Sequence, residues 1–173
     1  MEEIVNKVAN SKIVTLDMEE LLPTREELVI FDLADYLFQG LVLREKDFRM
    51  ALKELDWSVY QEKDVIITCT ADAIVPIWAY MLVSTYLDGV ASEIAQTEEP
   101  LFLAILEKKV QEQHELLDLT DRPIVIKGCA SIPFKESLYL KITQLVKPFA
   151  KTIMYGEPCS TVPIYKKKKI NNV

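Results

Sequence analysis

Residues 64–87 read DVIITCTADAIVPIWAYMLVSTYL, and this stretch decides the predicted fold. Its first six residues, DVIITC, form a short run rich in β-branched residues without polar alternation, which is typical of a parallel strand covered on both faces. A loop containing Cys69 follows, and residues from about 75 to 87 have the pattern of a buried helix. Pro76 favours a helix start there, because a proline at the first helical position loses no hydrogen bond.

Residues 123–146, PIVIKGCASIPFKESLYLKITQLV, repeat this order of strand, cysteine-containing loop, proline and helix. A further strand candidate follows each helix, GVASEIA at 89–95 and FAKTIMY at 149–155. Residues 65, 66 and 69 match residues 125, 126 and 129, sixty positions later. The sequence therefore predicts a repeated β–loop–α–β unit, with halves at about 64–95 and 123–155. Either duplication of one unit or the presence of two unrelated units of the same type explains the match.

Alternating strands and helices predict the α/β class. We expect a single domain over residues 1–165, with a mixed, mostly parallel sheet and helices on both of its faces. Helical periodicity predicts further helices at 44–55 and 100–117, whereas the remainder of residues 1–60 mixes strand and helix signals. Residues 166–173, KKKKINNV, predict a basic, flexible tail.

The composition narrows the classes of function. The chain has 173 residues, of which 50% are hydrophobic, and this is enough for a globular core. The net charge of −7 argues against nucleic acid, since phosphate contacts need clustered basic residues. We find no export signal and no apolar stretch of the roughly 20 residues that span a membrane. A cytoplasmic protein with reduced thiols, not bound to a membrane, is therefore expected.

The three cysteines are the main candidates for a functional site. Ligands of open parallel sheets bind beyond the carboxyl ends of the strands, where Cys69 and Cys129 are predicted. Cys159 follows the last predicted strand in YGEPCSTVP, residues 155–163. If all three strands are parallel in one sheet, the three sulfur atoms lie along one edge. Clustered thiolates suit zinc or an iron–sulfur cluster, so the three cysteines are candidate metal ligands.

Two other readings of the cysteines stay open. Their spacing matches no zinc or cluster motif, and a cysteine is often simply a small buried apolar residue. Cys129 or Cys159 could instead be the nucleophile of a thiol-dependent enzyme, because a helix N-terminus favours a thiolate. The third hypothesis is a non-catalytic protein-interaction module with structural cysteines. The sequence does not decide whether the protein is an enzyme.

Two acidic residues are candidate supporting groups. Asp72 is placed to cap the following helix, or alternatively to act in acid–base chemistry. Glu157 could supply an oxygen ligand or be an exposed acid of a turn. His114, the sole histidine, falls within a predicted helix away from the strand ends, which argues against a Cys–His dyad. No glycine-rich nucleotide-binding loop is present in the sequence.

Several segments resemble a bacterial family, domain of unknown function 2480. They are CTADAIVPIWAYML, IKGC and MYGEPCSTVPIYK, together with LREKDF and DWSVYQEK upstream, and the resemblance covers nearly the whole chain. The family has no assigned activity. The resemblance implies a role beside iron–sulfur cluster assembly, with assembly proteins as partners, and it favours the metal or sulfur hypothesis. A homodimer is expected only because two-fold dimers are the commonest oligomers.

Overall fold

The computed structural model describes residues 13–157 and 159–168. Within this part of the chain, nine strands and five helices follow one another. The strands are β1 (Val14–Asp17), β2 (Val29–Asp32), β3 (Leu37–Phe38), β4 (Val42–Leu43), β5 (Asp64–Thr68), β6 (Glu93–Ala95), β7 (Pro123–Lys127), β8 (Thr152–Glu157) and β9 (Ser160–Lys166). The helices are α1 (Met18–Leu21), α2 (Glu45–Glu54), α3 (Ile77–Leu87), α4 (Glu98–Leu117) and α5 (Lys135–Val146).

The α/β class is confirmed, and the strands predicted at 64–69 and 123–127 form as β5 and β7. In each of them the three central residues are buried and the two end residues are half-buried. This pattern explains why neither strand shows polar alternation in the sequence, since both of its faces are covered.

The two central helices begin later than the sequence predicts. α3 starts after Pro76, and α5 starts after Phe134, which has a left-handed φ of 47°. A residue that precedes a proline is disfavoured in the α conformation, so Val75 cannot extend α3 backwards. The predicted capping role of Asp72 is therefore wrong: this exposed residue lies five positions before α3, which has no side-chain cap.

The chain divides into two compact units. Unit 1 comprises Met1–Leu22 and Ile105–Val173, and unit 2 comprises Pro23–Ala104, which is inserted in the sequence between the two parts of unit 1. The single domain expected over residues 1–165 stays a prediction.

The strands form separate sheets where the sequence predicted one. In unit 1 the order is β1-β7-β8-β9, with the first three strands parallel and β9 antiparallel to β8. In unit 2 the order is β2-β5-β6, all parallel, and β3 pairs with β4 in a small antiparallel ribbon. The strands that precede Cys69 and Cys129 therefore belong to different sheets.

The three parallel strands have the same register in both units. Val29 pairs with Val65 in unit 2, as Val14 pairs with Ile124 in unit 1. The first residue of β5, Asp64, pairs with Glu93 of β6, and the first residue of β7, Pro123, pairs with Thr152 of β8. Corresponding residues of the central β–α–β segments therefore lie 59 positions apart. Descent by duplication stays a prediction, although the shared register favours it.

This register corrects the sixty-residue spacing inferred from the sequence for the strands β5 and β7 and their cysteines. In this alignment of the two units, Cys69 corresponds to Gly128, and Thr70 corresponds to Cys129. The two cysteines therefore do not occupy corresponding positions. The sequence match aligned the cysteines with each other, whereas the backbone pairing shifts the alignment by one residue. The loops before the central strands β5 and β7 agree with the new register, because Glu62 and Asp121, 59 positions apart, have left-handed φ values of 58° and 55°.

Each unit has its own apolar core. In unit 2, Phe31 is 1% exposed and its ring stacks on Tyr36 and Trp57, with centroid distances of 5.4 and 5.7 Å. In unit 1, Leu138, Ile142 and Val146 form the buried face of α5; α3 buries Ala79, Val83 and Leu87 at the corresponding positions.

The predicted basic tail begins later than residue 166. Lys166 is the last residue of β9, and the backbone N–H of Lys167 donates to the Lys151 carbonyl at 2.9 Å. The ammonium group of Lys167 lies 3.2 Å from the carboxylate of Asp121. Residues 169–173 of the predicted tail lie outside the described residues. In the described part of the chain, no helix is both long enough and apolar enough to cross a membrane.

Candidate functional site

Cys129 and Cys159 lie at the same edge of the unit 1 sheet. β7 and β8 are parallel neighbours in which Ile126 pairs with Tyr155, so their carboxyl ends are adjacent. Cys129 follows β7 by two residues, and Cys159 follows the end of β8 in the turn to β9. Adjacent strands stand about 4.8 Å apart. Both cysteines are free and exposed, so both thiols are accessible to a ligand.

The turn that carries Cys159 depends on a glycine. Glu157 pairs with Ser160, so Cys159 lies within the short connection between β8 and β9. Gly156 has a φ of 117°, and a Cβ added there would lie 2.7 Å from the Ser160 carbonyl oxygen. The glycine thus permits a close approach of the two strands beside Cys159. Glu157, one of the predicted supporting residues, is exposed at the end of β8.

The Cys129 thiol interacts with a neighbouring hydroxyl. Its Sγ atom lies 2.6 Å from the Oγ atom of Ser131, and either group can donate the hydrogen bond. The preceding Gly128 is closely packed, because a Cβ there would lie 2.6 Å from both the Ile132 Cδ1 atom and the Tyr139 hydroxyl. The absence of a side chain at Gly128 lets the Tyr139 hydroxyl lie against the backbone beside Cys129.

Tyr139 contributes an unused hydrogen-bond donor. Its hydroxyl is buried and has no hydrogen-bond partner within the described residues. Burial, together with smaller contributions from the charges of Tyr155, Cys129 and Asp17, raises the pKa of Tyr139 to about 12. The phenol therefore stays protonated at neutral pH and keeps its donor beside Gly128, the residue before Cys129.

An ion pair joins the ends of β1 and β7. The Lys127 Nζ atom lies 2.7 Å from the Oδ2 atom of Asp17, and the Oδ1 atom of Asp17 accepts a hydrogen bond from the Glu19 N–H at 3.0 Å. Burial raises the pKa of Asp17, but the hydrogen bonds from Lys127 and Glu19 outweigh it, and the pKa is lowered. The hydrogen bond with Asp17 raises the pKa of Lys127, with a further contribution from the charge of Glu157. A lysine cation is thus fixed at this edge.

We expect this ion pair to make stability depend on acid pH. Because the folded-state pKa of Asp17 is lowered, its stabilisation is complete above its unfolded-state pKa, about 4, and is lost as the pH falls through the folded-state pKa. Asp17→Asn keeps an oxygen that accepts from Glu19 but loses the charge. Urea unfolding should show wild type more stable than the variant at pH 7, with the difference vanishing in acid. A difference that stays constant with pH would contradict this role.

An apolar cavity beside Tyr139 is lined by residues of α5 and of the strands β7, β8 and β9. Its volume is about 260 Å³, and its lining comprises Ile126, Tyr139, Thr143, Tyr155 and Ile164. The rings of Tyr139 and Tyr155 meet edge to face, with centroids 5.4 Å apart. The cavity gives the edge an apolar wall but supplies no metal-binding atoms.

At the corresponding strand ends of unit 2, the polar groups form hydrogen bonds with one another. Asp32, which corresponds to Asp17, accepts from the backbone N–H groups of Ala34 at 2.9 Å and Thr70 at 3.0 Å, and from the Thr70 hydroxyl. The half-buried Cys69 donates a hydrogen bond to the Ala71 carbonyl, with a sulfur–oxygen distance of 3.6 Å. Cys69 is thus part of a different environment from that of the two exposed cysteines.

The premise that all three sulfur atoms share one sheet edge is wrong, and ligation of one metal by all three cysteines stays a prediction. Among residues 13–157 and 159–168, no group of three or more His, Cys, Asp or Glu side chains is arranged to hold a metal ion. Cys129 and Cys159 can supply two sulfur ligands, whereas protein zinc and cluster sites usually have three or four protein ligands. A resident zinc or cluster would therefore need ligands from elsewhere.

His114 has a structural environment. Its ring stacks on Phe149 with centroids 4.3 Å apart, and its Nδ1 atom accepts a hydrogen bond from the Leu119 N–H at 3.3 Å. These contacts agree with the expectation that it forms no dyad with a cysteine.

The sequence did not identify the other groups of this edge, namely Asp17, Lys127, Gly128 and Tyr139. One signal was available, because VTLD and VIFD each place an aspartate at the end of a short apolar run. A strand that ends in a helix-capping aspartate fits that pattern, and both aspartates accept from a backbone N–H two residues later.

A comparison with protein families gave one match that covers most of the chain. A family model described as a protein of unknown function, DUF2480, matches residues 2–167 of the 173 and confirms the resemblance seen in the sequence. Neither the search of curated proteins nor the search of solved structures gave a match.

Proposed function

Because the chain belongs to this family of unknown function, whose description assigns no chemistry, we propose a function from the site itself. The protein binds a thiophilic group through Cys129 and Cys159, in connection with iron–sulfur cluster assembly in the cytoplasm. The group is a soft metal ion, an iron–sulfur cluster or a sulfur species. Such a protein exchanges its ligand with assembly proteins.

The observation that carries this proposal is the pair of exposed cysteines at neighbouring strand ends. β7 and β8 are adjacent and parallel, and a free, exposed cysteine follows each of them. Thiolate sulfur is the ligand that soft metals and iron–sulfur clusters prefer. Two distant parts of the sequence thus bring this chemistry to one sheet edge.

The surrounding groups suit an anionic sulfur ligand. Tyr139 offers a buried, protonated hydroxyl, and Lys127 supplies a cation that Asp17 holds in place. A hydrogen-bond donor and a cation both stabilise a bound anionic ligand. Two protein thiolates leave coordination positions of a metal open, which suits transfer between proteins better than permanent storage.

Anaerobic reconstitution with matched cysteine variants tests the proposal. The chain is incubated separately with Zn²⁺ and with Fe²⁺ plus sulfide, then desalted, and its metal and acid-labile sulfide are measured. Wild type and Cys69→Ser should retain the ligand, whereas Cys129→Ser and Cys159→Ser should lose at least about tenfold in affinity, or 1.4 kcal/mol. The proposal fails if wild type retains neither ligand, or if Cys69→Ser is the variant that abolishes binding.

The close contact between Cys129 and Ser131 favours a second candidate, a thiol-dependent enzyme with Cys129 as the nucleophile. The separation of 2.6 Å allows the hydroxyl to donate to a thiolate. Alkylation at neutral pH should then modify Cys129 faster than Cys159, which is also exposed, and Ser131→Ala should slow that reaction. Equal rates at both cysteines, unchanged by the substitution, would exclude the activated nucleophile.

A further inference from the structure

The apolar cavity of unit 1 has a counterpart in unit 2. Both cavities have a volume of about 260 Å³. Four of the five residues that line the unit 1 cavity correspond to lining residues of the unit 2 cavity 59 positions earlier; the unit 2 residues are Ile67, Tyr80, Ser84 and Gln96. The arrangement of helix and strands thus leaves a space at the same position of each unit.

The unit 1 cavity is the more apolar of the two. Tyr155 stands where unit 2 has the polar Gln96, and Ile164 of β9 adds an apolar side chain to the lining. The Thr143 hydroxyl donates to the Tyr139 carbonyl at 2.7 Å, so its proton is already used within α5. The lining suits the hydrocarbon part of a small molecule, because ligand pockets are mostly apolar with a few placed polar groups.

The helices beside the two cavities differ in charge. Along one side of α5, a row at four-residue spacing comprises Lys135, Tyr139, Thr143 and Lys147. The corresponding row of unit 2 comprises Pro76, Tyr80, Ser84 and Asp88. Lys147 and Asp88 are both exposed residues at the C-terminal cap of their helix. The end of the row is therefore positive in unit 1 and negative in unit 2.

Lys147 is held beside the cavity wall. Its backbone N–H donates to the Thr143 carbonyl at 3.1 Å, which places it one helical turn beyond a lining residue. Its Nζ atom lies 5.8 Å from the centroid of the Tyr165 ring, and Tyr165 follows the lining residue Ile164 directly. In the described part of the chain, no carboxylate forms an ion pair with this ammonium group. Lys147 thus offers an unneutralised cation next to an apolar space.

The other end of the row is less positive. Lys135 is followed directly by Glu136, and Glu157 lies two residues beyond Tyr155 on β8. These two acids would repel an anion placed near Lys135. An anionic group is therefore better placed at Lys147.

We propose that the unit 1 cavity binds an aliphatic carboxylate, with its hydrocarbon chain in the cavity and its carboxylate at Lys147. Charge complementarity selects the head group, and burial of the chain supplies the main driving force. An engineered apolar cavity of about 150 Å³ binds benzene, so a cavity of this size holds about ten carbon atoms on the same scale. The proposal does not rest on the thiol site, whose cysteines do not line the cavity.

Isothermal titration calorimetry of the full chain with octanoate, and separately with octanol, tests the proposal. Wild type should bind one octanoate per chain, because Asp88 repels an anion at the unit 2 cavity. Octanol has the same chain length without the charge and should bind at least about fivefold more weakly. Lys147→Glu should weaken octanoate binding by at least about fivefold, because a repulsion replaces an attraction.

Lys53→Glu is the matched control for Lys147→Glu. Lys53 is an exposed lysine in the last turn of α2 in unit 2, so the substitution changes the net charge equally at a helix end without a cavity contact. It should leave octanoate binding within about twofold of wild type.

Ile164→Glu locates the hydrocarbon chain independently of the head group. It places a carboxylate in the apolar wall and should abolish octanoate binding, whereas Ile30→Glu makes the same change at a similarly exposed strand residue of unit 2 and should not. These isoleucines are 53% and 59% exposed, and circular dichroism checks that both variants are folded.

Four results would overturn the proposal. They are a wild-type chain that does not bind octanoate, octanol binding as tight as octanoate binding, a Lys147→Glu chain that binds octanoate as the Lys53→Glu chain does, and an Ile164→Glu chain that keeps wild-type affinity.

Discussion

Phe31→Ala is expected to lower the free energy of unfolding of unit 2 by about 3–5 kcal/mol, the usual cost of removing a buried phenylalanine. Phe31 is 1% exposed on β2, and its ring packs between those of Tyr36 and Trp57. The alanine would leave a cavity and remove two stacked aromatic contacts. Both tryptophans, Trp57 and Trp78, belong to unit 2, so tryptophan fluorescence during urea unfolding reports this unit.

Ile30→Ala is the matched control for this substitution. Ile30 is the preceding residue of the same strand and is 59% exposed, because successive side chains of a strand point to opposite faces. We expect it to cost less than about 1 kcal/mol, within the range of strand propensities. Similar losses for the two variants would contradict the assignment of the core face of β2.

Gly128→Ala is expected to destabilise unit 1 by about 1–3 kcal/mol, as overpacking of a filled site does. The added Cβ would lie 2.6 Å from the Ile132 Cδ1 atom and from the Tyr139 hydroxyl, and 2.9 Å from the Met18 Cβ atom. The first two atoms end flexible side chains and can move. The Met18 Cβ atom is attached to the backbone of a fully buried residue, so the loop that carries Cys129 must shift instead. Binding at Cys129 should weaken as well.

Gly89→Ala separates the steric effect from backbone strain. Nothing lies within 4 Å of a Cβ at Gly89, but its φ is 71°, so the cost should be about 1 kcal/mol, from the left-handed conformation alone. Gly89 belongs to unit 2, and the substitution should leave ligand binding unchanged. Far-ultraviolet circular dichroism and ligand retention are the two measurements. A Gly128→Ala chain with wild-type stability and binding would show that the close packing is unimportant.

The central strands were predictable because their side chains are buried on both faces. Val65, Ile66 and Ile67, like the central residues of β7, form a short, continuous β-branched run, which is typical of a strand covered on both faces. The sheet to which each strand belongs was not predictable, because β1 pairs with β7 although all residues of unit 2 come between them in the sequence. Periodicity reports burial but not the partner strand. Cys69 was therefore placed at the wrong sheet edge.

The β8–β9 hairpin was missed for a local reason. Residues 158–168 contain two prolines and a run of lysines, which predict a loop and a tail. Pro163 is compatible with β9 because this strand forms the edge of the sheet and an irregularity occurs at its pairing with Ile153 and Met154. Ile164 lies at that irregularity and lines the cavity beside Tyr139.

Part of the candidate site followed from the sequence. The rule that ligands bind at carboxyl ends of parallel strands correctly placed Cys129 and Cys159 at one edge. Asp17 and Tyr139 come from β1 and α5, and only the folded chain brings them beside Cys129. Asp72 was selected as a helix cap, and the proline at 76 moved the helix start out of its reach.

The most direct test of the thiol site is its reaction with phenylarsine oxide, whose single arsenic atom binds the sulfurs of two thiols while its oxygen leaves with their two protons as water. Two sulfurs on one such atom stand about 3.5–4 Å apart, as they do on zinc. Mass spectrometry after a monothiol wash should find one phenylarsenic group on wild type and on Cys69→Ser. Cys129→Ser and Cys159→Ser should retain none. A wild-type chain without the group, or a Cys129→Ser chain that keeps it, would contradict a site built from these two cysteines.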